Sequence, residues 1–209
     1  MKKAYIFDLD RTVVDSDHRV KPCMKENGDL DLDKYIKEAC TEEKVMKDTL
    51  LPLANYMKQL IEAGEKVIIL TARWCLAHDY VYLRKNGLRP CLHLSRDQLE
   101  RVFGEDAERI RVLGDAAYKK VWLEHLFQTL PEYDFCFFDD HDGVLEMAEK
   151  LGVKSVDAKI MNQLLQDQFV EMYMQGVEDT ESMYEALIEE CSEKDLVIFP
   201  EWFAQLILE

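Results

Sequence analysis

Two carboxylates two residues apart, Asp8 and Asp10, follow the apolar run Ala4-Tyr5-Ile6-Phe7 and open the segment Asp8-Leu9-Asp10-Arg11-Thr12-Val13-Val14-Asp15-Ser16. Side chains at i and i+2 of a strand lie on the same side. The spacing therefore predicts two like charges crowded together, each disfavouring ionisation of the other unless a cation sits between them. Such a pair suggests metal-assisted chemistry, although Asp and Thr after a strand also serve as turn and helix-cap residues. The end of a short apolar strand is where open α/β sheets hold their ligands, so the pair has a location as well as a need.

Further polar groups stand at corresponding places. Ile68-Ile69-Leu70 runs into Thr71-Ala72-Arg73, a hydroxyl at a strand end with a guanidinium two residues on. Phe135-Cys136-Phe137-Phe138 delivers Asp139-Asp140-His141-Asp142-Gly143, and Lys119-Lys120 opens a segment of helical period. Helix phase distinguishes the two lysines: Trp122, Leu123 and Leu126 follow Lys119 at +3, +4 and +7, which puts Lys119 on the inward face. Lys120 stays the second candidate for a substrate contact. Arg73 suits either a second phosphate contact, since its fork matches a phosphomonoester, or a structural salt bridge. His18, Arg19, Lys21, Arg96 and Asp97 are weaker candidates, and His141 reads as a loop residue rather than a ligand.

These groups need a scaffold, and the chain's patterning supplies one. Short apolar runs alternate with longer stretches of helical period, the pattern of a parallel sheet with crossover helices. Strands are expected at Ala4 to Leu9, Lys66 to Leu70, Cys91 to Leu94, Asp134 to Phe138 and Lys154 to Val156. Helices are expected at Leu51 to Ala63, Ala77 to Lys85, Lys119 to Phe127 and Val144 to Leu151, the last stopping at Gly152 as a C-cap. The polar stretch 15–49, with the turn Glu26-Asn27-Gly28-Asp29 and a helix at Leu32 to Cys40, is placed to cover the site as a small cap or to serve as a surface connection. One main α/β domain over 1–166 is the expectation, followed by an acidic helical extension over 167–209.

Composition limits the function classes. With 26 basic against 42 acidic side chains the net charge is −16, and residues 167–209 hold 12 acidic side chains against one basic one, Lys194. A surface of that sign repels long polyanions, which argues against sequence-specific duplex binding. No apolar run approaches the ~18–20 residues that span a bilayer, and Met1-Lys2-Lys3 leads straight into a strand, so a soluble, cytoplasmic protein is expected. The six cysteines form no pair of metal spacing, and no GxxxxGK[ST] loop occurs.

Taken in order, Asp8-Leu9-Asp10-Arg11-Thr12, Thr71, Lys119 and Asp139-Asp140 resemble the haloacid dehalogenase superfamily, whose pattern is DxDxT, a strand-end Ser or Thr, a Lys, and an acidic pair after a strand. The resemblance covers about residues 3–157. Within that superfamily the chain looks most like the phosphatase domain of phage polynucleotide kinase-phosphatase, on Asp31-Leu32-Asp33-Lys34-Tyr35, Thr71-Ala72-Arg73, Leu94-Ser95-Arg96-Asp97 and the residues around Asp139.

The resemblance implies a Rossmann-like three-layer fold and a phosphomonoester hydrolase working through an aspartyl-phosphate. Asp8 would be the nucleophile and Asp10 the general acid and base. Thr71 and Lys119 would contact the phosphoryl group, with Arg73, Arg11 and Lys120 as substrate contacts. Mg²⁺ would be held by Asp8, the backbone carbonyl of Asp10, Asp139 and Asp140. Position 11 departs from the family, which mostly has Gly there. The implied substrate is a nucleic acid 3′-phosphate end, with a 5′(3′)-nucleotidase acting on free mononucleotides as the close rival. A non-catalytic acidic module, whose C-terminal helices engage a protein partner or a second copy, is the alternative of another class.

Overall fold

The computed structural model describes residues 2–26 and 30–175, and the chain divides into two compact units, Met1–Ala158 and Lys159–Glu209. In the first unit, β1 (Lys2–Phe7) is the strand the apolar run predicts, though it stops two residues sooner than expected. Its residues Ala4, Tyr5, Ile6 and Phe7 are all buried. A strand buried on both faces belongs inside a parallel sheet covered on both sides.

After β1 comes the stretch beginning with β2 (Val14–Asp15) and α1 (Asp17–Val20), then a 3₁₀ turn at Lys21–Cys23. It continues through α2 (Leu32–Lys34), a π-helical stretch Tyr35–Ala39, α3 (Glu42–Val45) and β3 (Thr49–Leu50). β2 and β3 pair antiparallel as a separate two-stranded sheet, Asp15 opposite Thr49, so the two ends of this insertion lie side by side. It has an apolar centre of its own, Cys23, Tyr35 and Ala39, with Val20 and Cys40 packed against them.

The rest alternates helix and strand. α4 (Leu53–Glu62) leads to β4 (Lys66–Leu70), and α5 (Ala77–Lys85) to β5 (Leu92–Leu94). The short α6 (Leu99–Phe103) and α7 (Ala107–Arg111), absent from the sequence reading, precede α8 (Asp115–Thr129) and β6 (Tyr133–Asp139). α9 (Asp142–Lys150) and β7 (Lys154–Asp157) complete the unit. α10 (Ala158–Gln175) starts at the last residue of the first unit, and the remainder of it is the described part of the second. The rest of the expected acidic helical extension, 176–209, lies outside the described residues, as does the turn Asn27-Gly28-Asp29.

The five long strands form one sheet in the order β5-β4-β1-β6-β7, every neighbouring pair parallel. The chain therefore moves outward from β1 on one side and then returns to build the other. The reversal falls beside β1, and the crevice at the carboxyl ends of strands at such a reversal is where this architecture binds ligands. This is the doubly wound α/β fold expected from the alternation.

Period-two alternation divides the core. Ala4 and Ile6 join Ile68, Leu70 and Phe137 against Trp122, Leu123 and Leu126 of α8 and Val144 of α9. On the opposite face Phe7 stacks on Phe138 with ring centroids 4.6 Å apart, and Tyr56 of α4 meets both edge-on. Each such fully buried side chain contributes about 1.5–3 kcal/mol, and together they fix the strand tips relative to α8. Among the described residues no helix is long and apolar enough to cross a membrane.

Candidate active site

Asp8 is the first residue beyond β1, yet its backbone still follows the sheet, its N–H donating to the Phe138 carbonyl at 3.0 Å. The chain then coils tightly: the Leu9 carbonyl accepts from the N–H groups of Thr12, Val13 and Val14 at 3.3, 3.0 and 2.9 Å. Arg11 takes the left-handed conformation at φ 59°, alone among the described non-glycine residues. This costs an ordinary side chain roughly 1–2 kcal/mol, and it gives a physical reason for glycine at this position in the resembling family. Because the strand ends at Phe7, its alternation ends there too. Asp8 and Asp10 have different cations as nearest partners, Lys119 and Arg73, while Asp10 still adds to the negative field at Asp8.

For Asp8 that partner is Lys119. The inward face of α8 consists of the buried residues Lys119, Trp122, Leu123 and Leu126, the spacing seen in the sequence. Lys119 Nζ lies 2.6 Å from Asp139 Oδ2 and 3.0 Å from Asp8 Oδ1. Burial works against its charge, but the two carboxylates hold its pKa above the usual lysine value. Lys120 does not join the site. Its side chain is 48% exposed and sits 3.7 Å from Glu124 on the outer face of α8, so the helix phase that brings its neighbour inward turns it to solvent.

Asp139 ends β6 and is wholly buried. Besides Lys119 it accepts the His141 N–H at 3.0 Å, and His141 in turn caps α9 through Nδ1, which accepts from the Gly143 N–H at 3.1 Å. Asp8, Asp139 and Asp140 each bring a carboxylate oxygen within 4.8 Å of the others. Three carboxylates with one ammonium among them leave a local excess of negative charge. Burial, with Asp139 and Asp10 adding to it against Lys119, pushes the Asp8 pKa up to about 8. Burial and Asp139 raise that of Asp140. Asp8 Oδ1 is buried without an aligned hydrogen bond, Lys119 standing within ion-pair reach but off its axis. A hard divalent cation, which prefers carboxylate oxygens, fits this donor set. The Asp10 side chain is not part of it, so any ligand from Asp10 is its backbone carbonyl.

Asp10 faces a second group of charges. Arg73 donates to it through Nε at 3.0 Å and through Nη2, and Ser16 Oγ also donates to it. Despite burial, these contacts and the nearby Arg19 hold the Asp10 carboxyl below the ordinary carboxylate range. Arg73 gives its remaining Nη1 to Asp79 Oδ1 at 2.8 Å, and the other oxygen of Asp79 accepts the Leu76 N–H at the start of α5 at 2.7 Å. Every nitrogen of Arg73 is thus engaged within the protein, which selects the salt-bridge reading over the free phosphate contact. Arg11 is half-exposed, its Nε 2.8 Å from Asp17 Oδ1, and Asp140 and Asp10 also help to hold its charge.

The insertion reaches the same cluster through Arg19, which is 0% exposed. Its Nε and Nη2 lie 2.8 Å from the two oxygens of Asp48, and its Nη2 lies 3.9 Å from Asp10. His18 Nε2 is 2.9 Å from Asp48 Oδ1. The sequence alone does not single out Asp48, Asp79 or Ser16, and it offers Arg19 only as a weaker candidate. One signal was available for Asp79: an acidic residue in the first turn of a helix caps that turn. For Arg19 and Asp48, 29 residues apart, none was.

Thr71 directly follows β4 and is buried. Its Oγ1 accepts the Arg73 N–H at 3.2 Å, which leaves its own proton to donate. Asp8, Thr71, Lys119 and Asp139 are therefore buried polar groups at the carboxyl end of the central strands and on the helix beneath them.

The family model described as "Bacteriophage T5 5′-deoxynucleotidase" matches residues 1–207. The 5′-deoxynucleotidase of Escherichia phage T5 is 42% identical over 172 residues, covering 79% of this chain and 70% of that protein. Among solved structures, a hydrolase from Streptococcus pneumoniae TIGR4 superposes with TM-score 0.50 at 12% identity over 79% of this chain and 100% of that one. A haloacid dehalogenase-like family hydrolase from Streptococcus pneumoniae gives TM-score 0.49 at 11% identity over 78% and 91%. By the full-length family match and the identity to the phage enzyme, the chain belongs to the bacteriophage T5 5′-deoxynucleotidase family.

Proposed function

We propose that this haloacid dehalogenase-like phosphomonoesterase removes the 5′-phosphate from free deoxynucleoside monophosphates, with Asp8 as the nucleophile. The observation that carries the reading is the buried Asp8 carboxylate beside Lys119 and the two further carboxylates of Asp139 and Asp140. The substrate class is drawn from the name of the phage T5 relative. It agrees with the net charge of −16, since a mononucleotide asks far less of an acidic surface than a polynucleotide does.

Asp8 attacks phosphorus and forms an aspartyl-phosphate as the bond to the nucleoside 5′ oxygen breaks, that oxygen leaving with a proton from Asp10, and one difficult displacement becomes two easier ones. Lys119 holds the attacking carboxylate in place and faces the phosphoryl oxygens. At ~4 Å and an effective dielectric of 20 one such contact has a Coulomb scale of about 4 kcal/mol before desolvation is subtracted. Thr71 donates its hydroxyl proton to a phosphoryl oxygen. Asp10 stands as the acid–base residue, its carboxylate left ionised by that transfer and held so by Arg73, Arg19 and Ser16, which is the form that activates water for hydrolysis of the aspartyl-phosphate. Asp8, Asp139 and Asp140, with the Asp10 carbonyl, would hold Mg²⁺, whose charge would offset the repulsion between these carboxylates and the phosphate.

The test compares phosphate release from deoxynucleoside 5′-monophosphates, 3′-monophosphates and a 3′-phosphorylated oligonucleotide, with and without Mg²⁺, in the wild type and Asp8→Asn. The 5′-mononucleotides should give the highest kcat/KM by at least about tenfold, and Asp8→Asn should be inactive. A preference for the oligonucleotide end would replace this reading with the polynucleotide 3′-phosphatase.

A further inference from the structure

We infer that Arg96 is a positioning residue that sets the separation between the loop Thr71-Ala72-Arg73 and the lysine-bearing helix α8, and so acts on the reaction through Thr71 and Lys119. The inference rests on the reading of those two side chains as phosphoryl contacts. All three guanidinium nitrogens of Arg96 are spent on backbone carbonyls of two separate segments. Nε donates to the Ala72 carbonyl at 2.6 Å, between Thr71 and Arg73. Nη1 donates to the carbonyl of Arg111, and Nη2 to that of Leu113 at 3.0 Å, in the stretch that leads into α8 at Asp115. The guanidinium lies over the ring of Tyr118, 4.4 Å from its centroid, and Tyr118 is the residue before Lys119.

The main chain around Arg96 holds the same loop. The Arg96 N–H donates to the Arg73 carbonyl at 3.2 Å, and the next residue, Asp97, accepts the Cys75 N–H at 3.1 Å. The loop after β4 is thus held at positions 72, 73 and 75 from one short turn, and the side chain of that turn extends to the start of the lysine helix. A rigid planar fork of donors is what joining carbonyls in different directions requires, and a lysine ammonium cannot reproduce it. Among the described residues the one carboxylate in ion-pair reach of Arg96, Asp115, is 3.5 Å away and half exposed, an ion pair of little worth. The carbonyls define the role. Catalytic groups displaced by about 1 Å can cost about 10²-fold in rate, so the strap should register in turnover.

The experiment uses full-length Arg96→Ala and Arg96→Lys at a temperature where circular dichroism shows the wild-type folded signal. For Arg96→Ala, kcat on the preferred mononucleotide should fall about 10- to 100-fold with KM within about threefold. Low-millimolar guanidinium chloride should restore it several-fold where equal NaCl does not. Arg96→Lys should be nearly as slow. Folded Arg96→Ala with wild-type kcat, or a loss that guanidinium fails to relieve, overturns the inference. Should Arg96→Ala not fold, Tyr118→Leu removes the ring beneath the guanidinium and keeps the carbonyl bonds: a lowered kcat at unchanged KM supports the strap, and wild-type kcat overturns it. Wild-type turnover in Thr71→Ala and Lys119→Met would instead remove the site reading on which the inference rests.

Discussion

Arg73 bonds Asp10 with two of its nitrogens, Nε at 3.0 Å and Nη2, and gives the third to Asp79 at 2.8 Å. A single buried cation therefore serves one buried carboxylate, Asp79, and one part-buried carboxylate, Asp10. Removing one partner from such an arrangement leaves uncompensated buried charge, which costs about 3–5 kcal/mol. Arg73→Met should lower unfolding stability by that amount, read from the urea midpoint, whereas Asp79→Asn should cost less because Asp10 keeps its partner. Equal stability of Arg73→Met and wild type would contradict the network.

Lys119 and Lys120 are adjacent in sequence and opposite in environment. Lys119→Met should reduce kcat/KM by about 10²–10³-fold, the usual scale for losing one electrostatic contact to a developing charge. Lys120→Met removes only an exposed contact 3.7 Å from Glu124 and should leave activity within about twofold of wild type. Comparable losses in both variants would mean that the phase of α8 is wrong.

The cluster of Asp8, Asp139 and Asp140 should bind a divalent cation in the folded state only. Mg²⁺ at about 100 times its dissociation constant then stabilises by about 2.7 kcal/mol, a rise in Tm of about 5–10 °C for a protein of this size. Thermal scans in Mg²⁺ against EDTA measure it without turnover. Asp140→Asn should diminish the shift, and a shift of the same size in that variant would exclude Asp140 as a ligand.

Acid should destabilise the protein through His93. Burial lowers its pKa to about 4, against the pull of Asp97 and Asp79, with Cys75 Sγ 3.4 Å from its Nε2 and the Tyr80 ring centroid 4.6 Å away. The unfolded chain protonates this histidine near its ordinary pKa of about 6.5, so between those values the unfolded state binds more protons and stability falls as pH falls. The slope from one such group is at most about 1.4 kcal/mol per pH unit. Urea titrations of wild type and His93→Gln between pH 7 and 4 isolate it. The difference curve should slope across that window, and a flat one would place His93 in water.

Arg11 offers a test of the backbone. Its left-handed φ of 59° suits glycine and no other common residue as well. Arg11→Gly should exceed Arg11→Ala in stability by about 1 kcal/mol, since both lose the exposed pair with Asp17 and only one is relieved of strain. Equal midpoints in chemical denaturation would mean that the turn relaxes.

The same residue explains where the sequence could and could not be read. Lys66–Leu70 and Ala77–Lys85 fall at the expected bounds, because each is bracketed by punctuation and carries one clean period. Lys119 was separable from Lys120 because three apolar residues share its helix face. The turn at Arg11 leaves no local mark except the absence of a glycine, so the different cation partners of Asp8 and Asp10 are hidden. Five-residue helices such as Leu99–Phe103 are too short for a period to emerge. Arg19 and Asp48 meet only because β2 and β3 close the insertion, a long-range fact that composition cannot carry.

The order β5-β4-β1-β6-β7 gathers positions 8, 71, 119 and 139 from most of the length of the first unit. Each comes from a different element, and the two outermost in sequence meet through neighbouring central strands that pair only after the intervening residues have been placed. Turnover is thereby a readout of finished assembly: a nascent or nicked chain that has formed β1 to β5 still lacks Lys119 and Asp139. Recovery of activity during refolding should lag the return of helical signal and coincide with closure of the β1–β6 edge.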